Sequence, residues 1–450
     1  MRYNKYLICS TVVAALGGLL FGFDTAVISG TTSWLEKTFD LSPFWLGFTV
    51  ASALIGTIIG AISIGKPADK YGRKNILFIV ALLYIISALG SALAWDWYSF
   101  LFFRLIGGIA VGGASVVSPM YIAEISPAKY RGRLVAVTQF NIVFGVLLAF
   151  FSNYIITGLD LGAIEWRMMF GVESIPALLF FILLFRNLNS PRWLVAKNRS
   201  DEAKFVLEKF GNDSASVAQI IEDIKASLVS EKNSISEPLL SKKYIKPIML
   251  AIAIAMFNQL SGINAIMYYA PYIFKMAGAG AESAMLQTVL IGSINLILTM
   301  IALAVIDNFG RKKLMLIGSV GYIISLSTAA WAFYTYGTDF TETGNWVVLA
   351  SLLLFVASHA IGQGAVIWVF LSEIFPNKVR AKGQALGTFT HWFMAAAISW
   401  SFPMIAKISG GHTFAFYAVC MVGQLFWVIY VMPETKGISL EQIQKKLGIK

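Results

Sequence analysis

The chain has 450 residues, of which 57% are hydrophobic and only 13% are charged, and its formal net charge is +11. Soluble domains carry about 25% charged residues, so this much apolar surface cannot be buried in one water-soluble core. The 2 cysteines and 3 histidines show neither the spacing of a disulfide framework nor that of a metal site. The composition excludes an ordinary soluble domain and predicts an integral membrane protein without a metal.

Apolar segments long enough to cross a bilayer, about 20 residues each, recur along the chain. The first is too long for the apolar part of a secretion signal and is followed by no cleavage motif. Because backbone groups in lipid must pair within their own segment, we expect helices throughout. The twelve predicted spans are 7–30, 45–65, 74–95, 98–123, 133–157, 167–187, 246–275, 284–306, 312–335, 346–374, 381–405 and 412–432.

The basic residues predict the orientation of these spans. With the N-terminus in the cytoplasm, the cytoplasmic segments hold all of the 35 lysines and arginines except Lys37, Arg104, Arg167, Lys275 and Lys407. Lysine and arginine favour the cytoplasmic side, so we expect both termini there. Topology and anionic lipid then account for the positive charge, and no nucleic-acid partner is predicted.

One long polar connection, 188–245, divides the spans into six and six. Its apolar residues recur at i, i+3 and i+4, which predicts short amphipathic helices. The expected organisation is an N-terminal six-helix bundle at 1–187, a cytoplasmic linker at 188–245, a C-terminal six-helix bundle at 246–433 and a cytoplasmic tail at 434–450.

Two cytoplasmic motifs occur once in each half of the chain. GRKNIL at 72–77 recurs as GRKKLM at 310–315, and AEISPAKYRG at 123–132 recurs as SEIFPNKVRA at 372–381. Each copy follows the same span of its half. Such a parallel duplication is typical of transporters that bind their substrate between the two halves.

The charges in these motifs predict a latch on the cytoplasmic side. We expect Glu124 to pair with Arg131, and Glu373 to pair with Arg380. Exposed pairs contribute only about 0–1 kcal/mol each, but a set of them biases a nearly balanced equilibrium. The predicted latch residues are Asp69, Arg73, Glu124, Arg131, Arg192, Asp307, Arg311, Glu373, Arg380 and Glu434.

Span 7 contains the polar run FNQLSGIN, with amides at Asn258, Gln259 and Asn264. On a straight helix Gln259 and Asn264 lie about 140° apart, so one ligand could not meet both. We expect the pair Ser261–Gly262 to break the helix. Amides both donate and accept hydrogen bonds, which suits a ligand rich in hydroxyls, and the alternative is hydrogen bonding between helices.

Two opposite charges lie inside predicted spans, Asp24 in span 1 and Arg104 in span 4. Each is six residues from the outer end of its helix, at about 9 Å depth. An unpaired charge there costs several kcal/mol, so we expect an ion pair, with Gly108 on the face of Arg104 allowing close approach.

This pair has two interpretations. It is either a permanent structural salt bridge or a proton switch, in which Asp24 becomes easier to protonate once Arg104 moves away. Glu173 and His391 are alternative proton sites.

The motifs together resemble those of the sugar porter family of the major facilitator superfamily. They are GGLLFGFDTAVISG, PADKYGRK, SPRWL, NQLSGINAIMYYAP, DNFGRKK, WVFLSEIFPNKVRAKG and PETKG, and they extend from residue 17 to residue 437. Within this family the sequence is similar to the bacterial xylose–proton symporters and the facilitative glucose transporters. The resemblance implies an all-α membrane protein of twelve helices, alternating access and a monosaccharide substrate. It also implies a location in the inner membrane, action as a monomer, and no cofactor besides the coupling proton.

The resemblance also assigns roles to individual residues. It implies that Asp24 takes part in proton coupling, because symporters of this family carry aspartate at this position and facilitative relatives carry asparagine. The sugar-binding residues expected from the amides and the resemblance are Phe21, Gln139, Asn258, Gln259, Asn264, Tyr268, Asn295, Trp368, His391 and Trp392. Because Asn258, Val146 and His391 differ from the family pattern, the identity of the transported sugar stays open.

The sequence bears on three classes of function: a transporter, a sugar sensor and an enzyme. A sugar sensor needs a signalling output, but only 17 residues follow Pro433. An enzyme needs a catalytic motif, and we find no nucleophile elbow, zinc-binding HExxH or phosphate-binding loop. The prediction is a proton-coupled monosaccharide transporter for a pentose or hexose such as xylose or glucose, with a facilitative uniporter as the alternative.

Overall fold

The computed structural model describes residues 4–127, 129–211, 213–233, 237–438 and 440–449. Within these ranges every regular element is a helix. In the described part of the chain, eleven helical segments are long and apolar enough to cross a membrane. One further helix of 29 residues, Arg380–Ile408, is more polar along its length, and it coincides with the eleventh predicted span. The predicted all-helical membrane fold is confirmed.

We number the twelve segments as spans in chain order. They are Lys5–Gly30, Pro43–Ser63, Arg73–Ala92, Trp97–Ile125, Arg131–Thr157, Gly162–Arg186, Lys242–Met276, Ala281–Ile306, Arg311–Tyr336, Glu342–Glu373, Arg380–Ile408 and Gly410–Tyr430. The shorter helices are Thr32–Thr38, Gly65–Tyr71, Pro191–Ala196, Ser200–Lys209, Ser214–Asn233 and Leu440–Lys446.

Three spans are interrupted inside the membrane-spanning length. Span 6 changes helix at Glu173, span 7 at Ser261–Gly262 and span 10 at Gly362. Gly262 adopts the left-handed conformation, with φ of 86°, which a residue with a Cβ rarely adopts. The break predicted in span 7 is confirmed.

The chain forms two compact units, which we describe separately. Unit 1 comprises Met1–Thr25, Ile55–Ala149 and Arg167–Ile235, and unit 2 comprises Ala26–Leu54, Phe150–Trp166 and Ser236–Lys450. The division into four segments expected from the sequence stays a prediction.

The core of unit 1 joins the spans of the first half to the helices of the linker segment. Ala203, Val206 and Leu207 of the helix Ser200–Lys209 are buried in the same apolar cluster as Tyr84 and Tyr121. The apolar face of this linker helix is therefore covered by unit 1.

Unit 2 contains parts of spans 1, 2, 5 and 6 as well as the second half of the chain. Trp400 of span 11 donates its indole N–H to the carbonyl oxygen of Phe44 at 3.1 Å. A Cβ atom on Gly47 would lie only 2.0 Å from the carbonyl oxygen of Trp400. The glycine allows the beginning of span 2 to pack directly against the backbone of span 11.

Candidate transport site

Asp24 and Arg104 form the predicted ion pair, and both side chains are almost completely buried in unit 1. Arg104 donates from Nη1 to Oδ1 of Asp24 at 2.7 Å and from Nη2 to Oδ2 at 3.4 Å. Nη2 also donates to the backbone oxygen of Asp24 at 3.2 Å. The guanidinium lies 5.2 Å from the ring centre of Phe170. The sequence predicted that these two charges lie at the same depth, and the fold brings them into contact.

A glycine other than the predicted one makes room for this pair. A Cβ atom on Gly107 would lie 3.0 Å from Oδ1 of Asp24 and 2.3 Å from Oγ of Ser87. Gly108, which we expected beside the ion pair, instead lies against Gly56 of span 2. Successive residues of a helix point about 100° apart, so the choice between adjacent glycines decides which neighbour each one meets.

Glu173 is a third charged group in this region. It is fully buried at the interruption of span 6, and neither of its carboxyl oxygens has a hydrogen-bond partner among the described residues. It lies close enough to Asp24 and Arg104 to interact electrostatically with both. The region then holds two carboxyl groups and one guanidinium, so a neutral cluster requires one proton on the acids. In the sequence Glu173 is a single acid in an apolar span, and only the fold shows which residues lie near it.

The amides of span 7 are brought together by the break in that helix. Asn264 donates from Nδ2 to Oε1 of Gln259 at 2.9 Å, and Gln259 donates from Nε2 to Oδ1 of Asn258 at 2.9 Å. Asn258 and Gln259 are buried in unit 2, at 2% and 1% exposure. The helix break removes the separation that a straight helix would impose between Gln259 and Asn264.

His391 of span 11 lies against the same amides. The amide nitrogen of Gln259 is 3.4 Å from Nδ1 and 3.3 Å from Nε2 of His391. An atom equally far from both ring nitrogens is not aligned with the lone pair of either one. The imidazole ring centre is 5.0 Å from those of Trp368 and Trp392. The result is a cluster of amides and aromatic rings from spans 7, 10 and 11.

The remaining predicted sugar contacts range from buried to exposed. Tyr268 is buried at 2% exposure, whereas Trp368 is 41% exposed. Asn295 is half-buried and accepts a hydrogen bond from Oγ1 of Thr299 at 3.4 Å. Phe21 and Gln139 are half-buried side chains of unit 1. All ten assignments as sugar ligands stay predictions.

In the cytoplasmic motif of unit 1, Glu124 pairs with Arg73 rather than with Arg131. Nη2 of Arg73 lies 2.9 Å from Oε1 of Glu124 and 3.1 Å from Oδ1 of Asp69. Ser190 also donates to Glu124. Arg131 instead donates to the carbonyl oxygen of Ala123 at 3.1 Å. Arg73 is buried and requires a counter-charge, whereas the exposed Arg131 does not.

The second motif copy is arranged in the same way in unit 2. Arg311 lies 2.8 Å from Oε1 of Glu373, whose other oxygen accepts from Oγ1 of Thr435 at 2.7 Å. Arg380, the partner expected from the sequence, donates to the carbonyl oxygen of Phe375 at 3.3 Å. The repeat is therefore preserved in side-chain contacts as well as in the sequence, and Ser190 and Thr435 are the matching hydroxyl donors.

Three other predicted latch residues have separate environments. Glu434 accepts from the backbone N–H groups of Arg311 and Lys312 at 3.0 and 3.1 Å. Burial raises the pKa of Glu434, but the backbone N–H groups of Lys436, Arg311, Lys312 and Thr435 together outweigh it and hold the pKa below its ordinary value. Arg192 donates to Oγ of Ser227 at 3.3 Å. The side chain of Asp307 lies outside the described part of the chain.

Comparisons with known proteins agree along the whole chain. The family model for sugar (and other) transporters matches residues 10–447. The chain is 40% identical to the D-xylose-proton symporter of Escherichia coli (strain K12), over 98% of this chain and 96% of that protein. It is 36% identical to the glucose transport protein of Synechocystis sp. (strain ATCC 27184 / PCC 6803 / Kazusa), over 98% and 97% of the two chains.

A solved structure gives the same result for the fold. The xylose transporter of E. coli in its inward open conformation matches with a TM-score of 0.86 at 38% identity, over 97% of this chain and 98% of the other. The fold, the repeated motifs and the whole-chain matches define a multi-pass membrane transporter rather than an enzyme. The chain belongs to the sugar transporter family of the major facilitator superfamily.

Proposed function

We propose that this transporter carries a monosaccharide, a pentose or hexose such as xylose or glucose, together with protons by alternating access. We place it in the inner membrane of a bacterial cell, with both termini cytoplasmic, and expect it to work as a monomer. Its relatives support the proposal, since one is named for xylose and protons and another for glucose.

The buried cluster of Asp24, Arg104 and Glu173 carries the proposal of proton coupling. Arg104 neutralises Asp24 while their side chains are in contact. If the pair opens during the transport cycle, a carboxylate is left without its counter-charge in a site of low dielectric constant, which favours uptake of a proton. A proton on the cluster is thereby linked to one conformation of the transporter.

The amide cluster of unit 2 supports a sugar as the cargo. Asn258, Gln259 and Asn264 present donors and acceptors without net charge, which matches sugar hydroxyls. Trp368 and Trp392 flank His391 and offer an apolar face for the ring of a sugar. We propose that Phe21, Gln139, Tyr268 and Asn295 complete the site.

A transport assay in liposomes tests this function directly. The purified protein is reconstituted, an inward proton gradient is imposed, and uptake of labelled xylose, glucose, galactose and fructose is followed. We expect at least one sugar to accumulate above equilibrium and to leak out when an uncoupler is added. Equal uptake with and without the gradient would show that transport is not coupled to protons.

A facilitative uniporter is the second candidate, and the tight contact between Arg104 and Asp24 favours it. Three hydrogen bonds are also what a permanent structural salt bridge would show. Asp24→Asn and Glu173→Gln, measured side by side, separate the alternatives. The proton site is the residue whose neutral variant abolishes accumulation and retains exchange, and a uniporter shows no loss in either variant.

A further inference from the structure

Span 10 is broken without a proline. Its sequence from Glu342 to Glu373 contains none, so proline, a frequent cause of a broken helix, is not responsible. The backbone of Gly362 has a ψ of −102°, far from the helical value of about −42°. A Cβ atom on Gly362 would lie 2.9 Å from Cα of Gly318, so spans 9 and 10 pack backbone to backbone at this point. The two glycines permit the break, but a glycine by itself does not fix the direction of the helix that follows.

Two buried amides and a hydroxyl group attach the residue after the break to spans 12 and 9. Gln363 donates from Nε2 to Oε1 of Gln424 in span 12. Gln424 donates from Nε2 to Oγ of Ser319 in span 9 at 2.8 Å, and Ser319 donates to the carbonyl oxygen of Met315 at 2.7 Å. All three side chains are completely buried. We call Gln363, Gln424 and Ser319 the span 10 network.

The hydrogen bonds of the span 10 network run in one direction. The carbonyl of Met315 only accepts, so it takes the one proton of Ser319, whose oxygen then accepts from Gln424. The amide oxygen of Gln424 is thereby left for Gln363, which must present its NH2 group. The amide oxygen of Gln363 has no hydrogen-bond partner among the described residues. The hydrogen bond to Gln424 therefore anchors the Gln363 side chain.

The helix that begins at Gln363 is held to span 9 at both ends. The network attaches its first residue, and its last residue, Glu373, lies 2.8 Å from Arg311 of span 9. Between the two attachments, the ring centre of Trp368 is 5.0 Å from that of His391. Trp368 follows Gln363 by five residues, about 7.5 Å along the helix axis. A change in the direction of the helix at Gln363 would therefore move Trp368 relative to His391.

We propose that Gln363 and Gln424 are positioning residues for sugar binding, which set the direction of the second helix of span 10 and thereby the place of Trp368. They act through Trp368 and not by contact with the sugar. This rests on the proposed function, since it takes Trp368 as part of the sugar site. Buried hydrogen bonds suit this role because they weaken steeply when their geometry changes, whereas apolar contacts are not directional.

Leucine substitutions of one or both amides separate positioning from stability. Gln424→Leu leaves the donor of Gln363 buried without an acceptor, so we expect a lower melting temperature and a higher KM. Gln363→Leu/Gln424→Leu replaces both partners by apolar groups of similar size, so most of the melting temperature should return. The direction of the helix is not restored, and we expect KM for labelled xylose and glucose to stay about tenfold raised with little change in maximal rate. Recovery of KM together with the melting temperature would show a structural role only.

Gln287 of span 8 provides the matched control. It is also a buried amide, its Nε2 donates at 2.8 Å to the amide oxygen of Asn345 in span 10, and its own oxygen has no partner among the described residues. Gln287→Leu thus removes the same kind of hydrogen bond from span 10, but on the helix before the break. We expect its KM to stay within about twofold of the original value. A KM raised as much as in the double leucine variant would overturn the specific role of the span 10 network.

Hydrogen exchange separates this inference from the proposed function. We expect the backbone amides of 363–367 to exchange faster in Gln363→Leu/Gln424→Leu and to be unchanged in Gln287→Leu. Faster exchange in a protein that binds none of the sugars would support the role of the network in holding the helix and overturn the sugar assignment. If sugars are transported but the double variant keeps the original KM and the original exchange, Gln363 and Gln424 have no positioning role.

Discussion

Arg104 and Asp24 are 80 residues apart in the sequence, yet two nitrogen atoms of Arg104 reach three oxygen atoms of Asp24, at 2.7, 3.2 and 3.4 Å. The contact is buried among spans 1, 3, 4 and 6, with Gly107 leaving the space that a side chain would fill. Removing Arg104 from such a buried site leaves the acids beside it without their cation, which is strongly destabilising.

Asp24→Asn is expected to uncouple transport. The amide keeps the shape of the carboxyl group but cannot take up a proton, so accumulation against a gradient should be lost while counterflow exchange of labelled sugar continues. Uptake in liposomes with and without a proton gradient measures both. Asp160→Asn, which changes an acid in a turn outside the spans, is the control and should accumulate normally. Full accumulation in Asp24→Asn would assign the proton to another residue.

Arg104→Leu is expected to destabilise the folded protein by about 3–5 kcal/mol, since it leaves two buried acids without their cation. Adding Asp24→Asn should recover part of this loss. Thermal unfolding in detergent measures the effect. Arg199→Leu, which removes the exposed pair of Arg199 with Glu202, is the control and should change stability by less than about 1 kcal/mol. Equal effects of the two leucine variants would argue against a stabilising role for the buried pair.

Gly262→Ala is expected to damage both stability and sugar binding. A Cβ atom would force a strained left-handed conformation and would lie 2.6 Å from the ring of Tyr417, at a cost of at least about 2 kcal/mol. Melting temperature and KM for labelled xylose report the two effects. At Gly65 an added Cβ would meet no other atom within 4 Å, so Gly65→Ala is the control. Normal sugar binding in Gly262→Ala would mean that the break is dispensable.

A double-mutant cycle is expected to distinguish the two possible partners of Glu124. Arg73→Met combined with Glu124→Gln should show a coupling of about 1–3 kcal/mol, because their side chains are in contact and largely buried. Arg131→Met with Glu124→Gln should be additive within about 0.5 kcal/mol. Thermal unfolding of the single and double variants provides the values. The reverse pattern would restore the pairing expected from the sequence.

Glu237 is expected to give an acid-dependent contribution to stability. Hydrogen bonds from Lys243, Tyr244 and Lys378 lower its pKa to about 2. Because the folded-state pKa lies below the unfolded value of about 4.3, the stabilisation is complete above that value and is lost as the pH falls through about 2.

The difference in melting temperature between the original protein and Glu237→Gln measures this contribution. We expect the difference to be largest near neutral pH and to shrink progressively below about pH 4. Glu208→Gln, at an exposed position of a linker helix, should show no such trend. A difference that stays constant down to about pH 3 would contradict the assigned hydrogen bonds.

Hydrophobicity made most of the fold predictable. Each span needs a long apolar run, so its position can be predicted from its own stretch of sequence. The observed helices begin and end within a few residues of the predicted limits. The break at Gly262 was also local, since only glycine adopts its conformation without strain. The pairing of Glu124 with Arg73 could not be predicted from local sequence, because Arg73 and Arg131 were both available as partners. Only the fold shows that Arg73 is buried and Arg131 is exposed.

The sequence by itself determined a membrane transporter with a duplicated half, a helix break between two groups of amides, and opposite charges at matching depth. These follow from hydropathy, repeated motifs, the position of Gly262 and helix rise, all of which can be read along the chain. Only the tertiary structure placed Glu173 near Asp24 and Arg104, and only the tertiary structure brought Gly107 rather than Gly108 against the ion pair. Such choices depend on how helices are rotated about their axes and on which neighbours they meet, since a rotation of about 100° replaces one facing residue by the next.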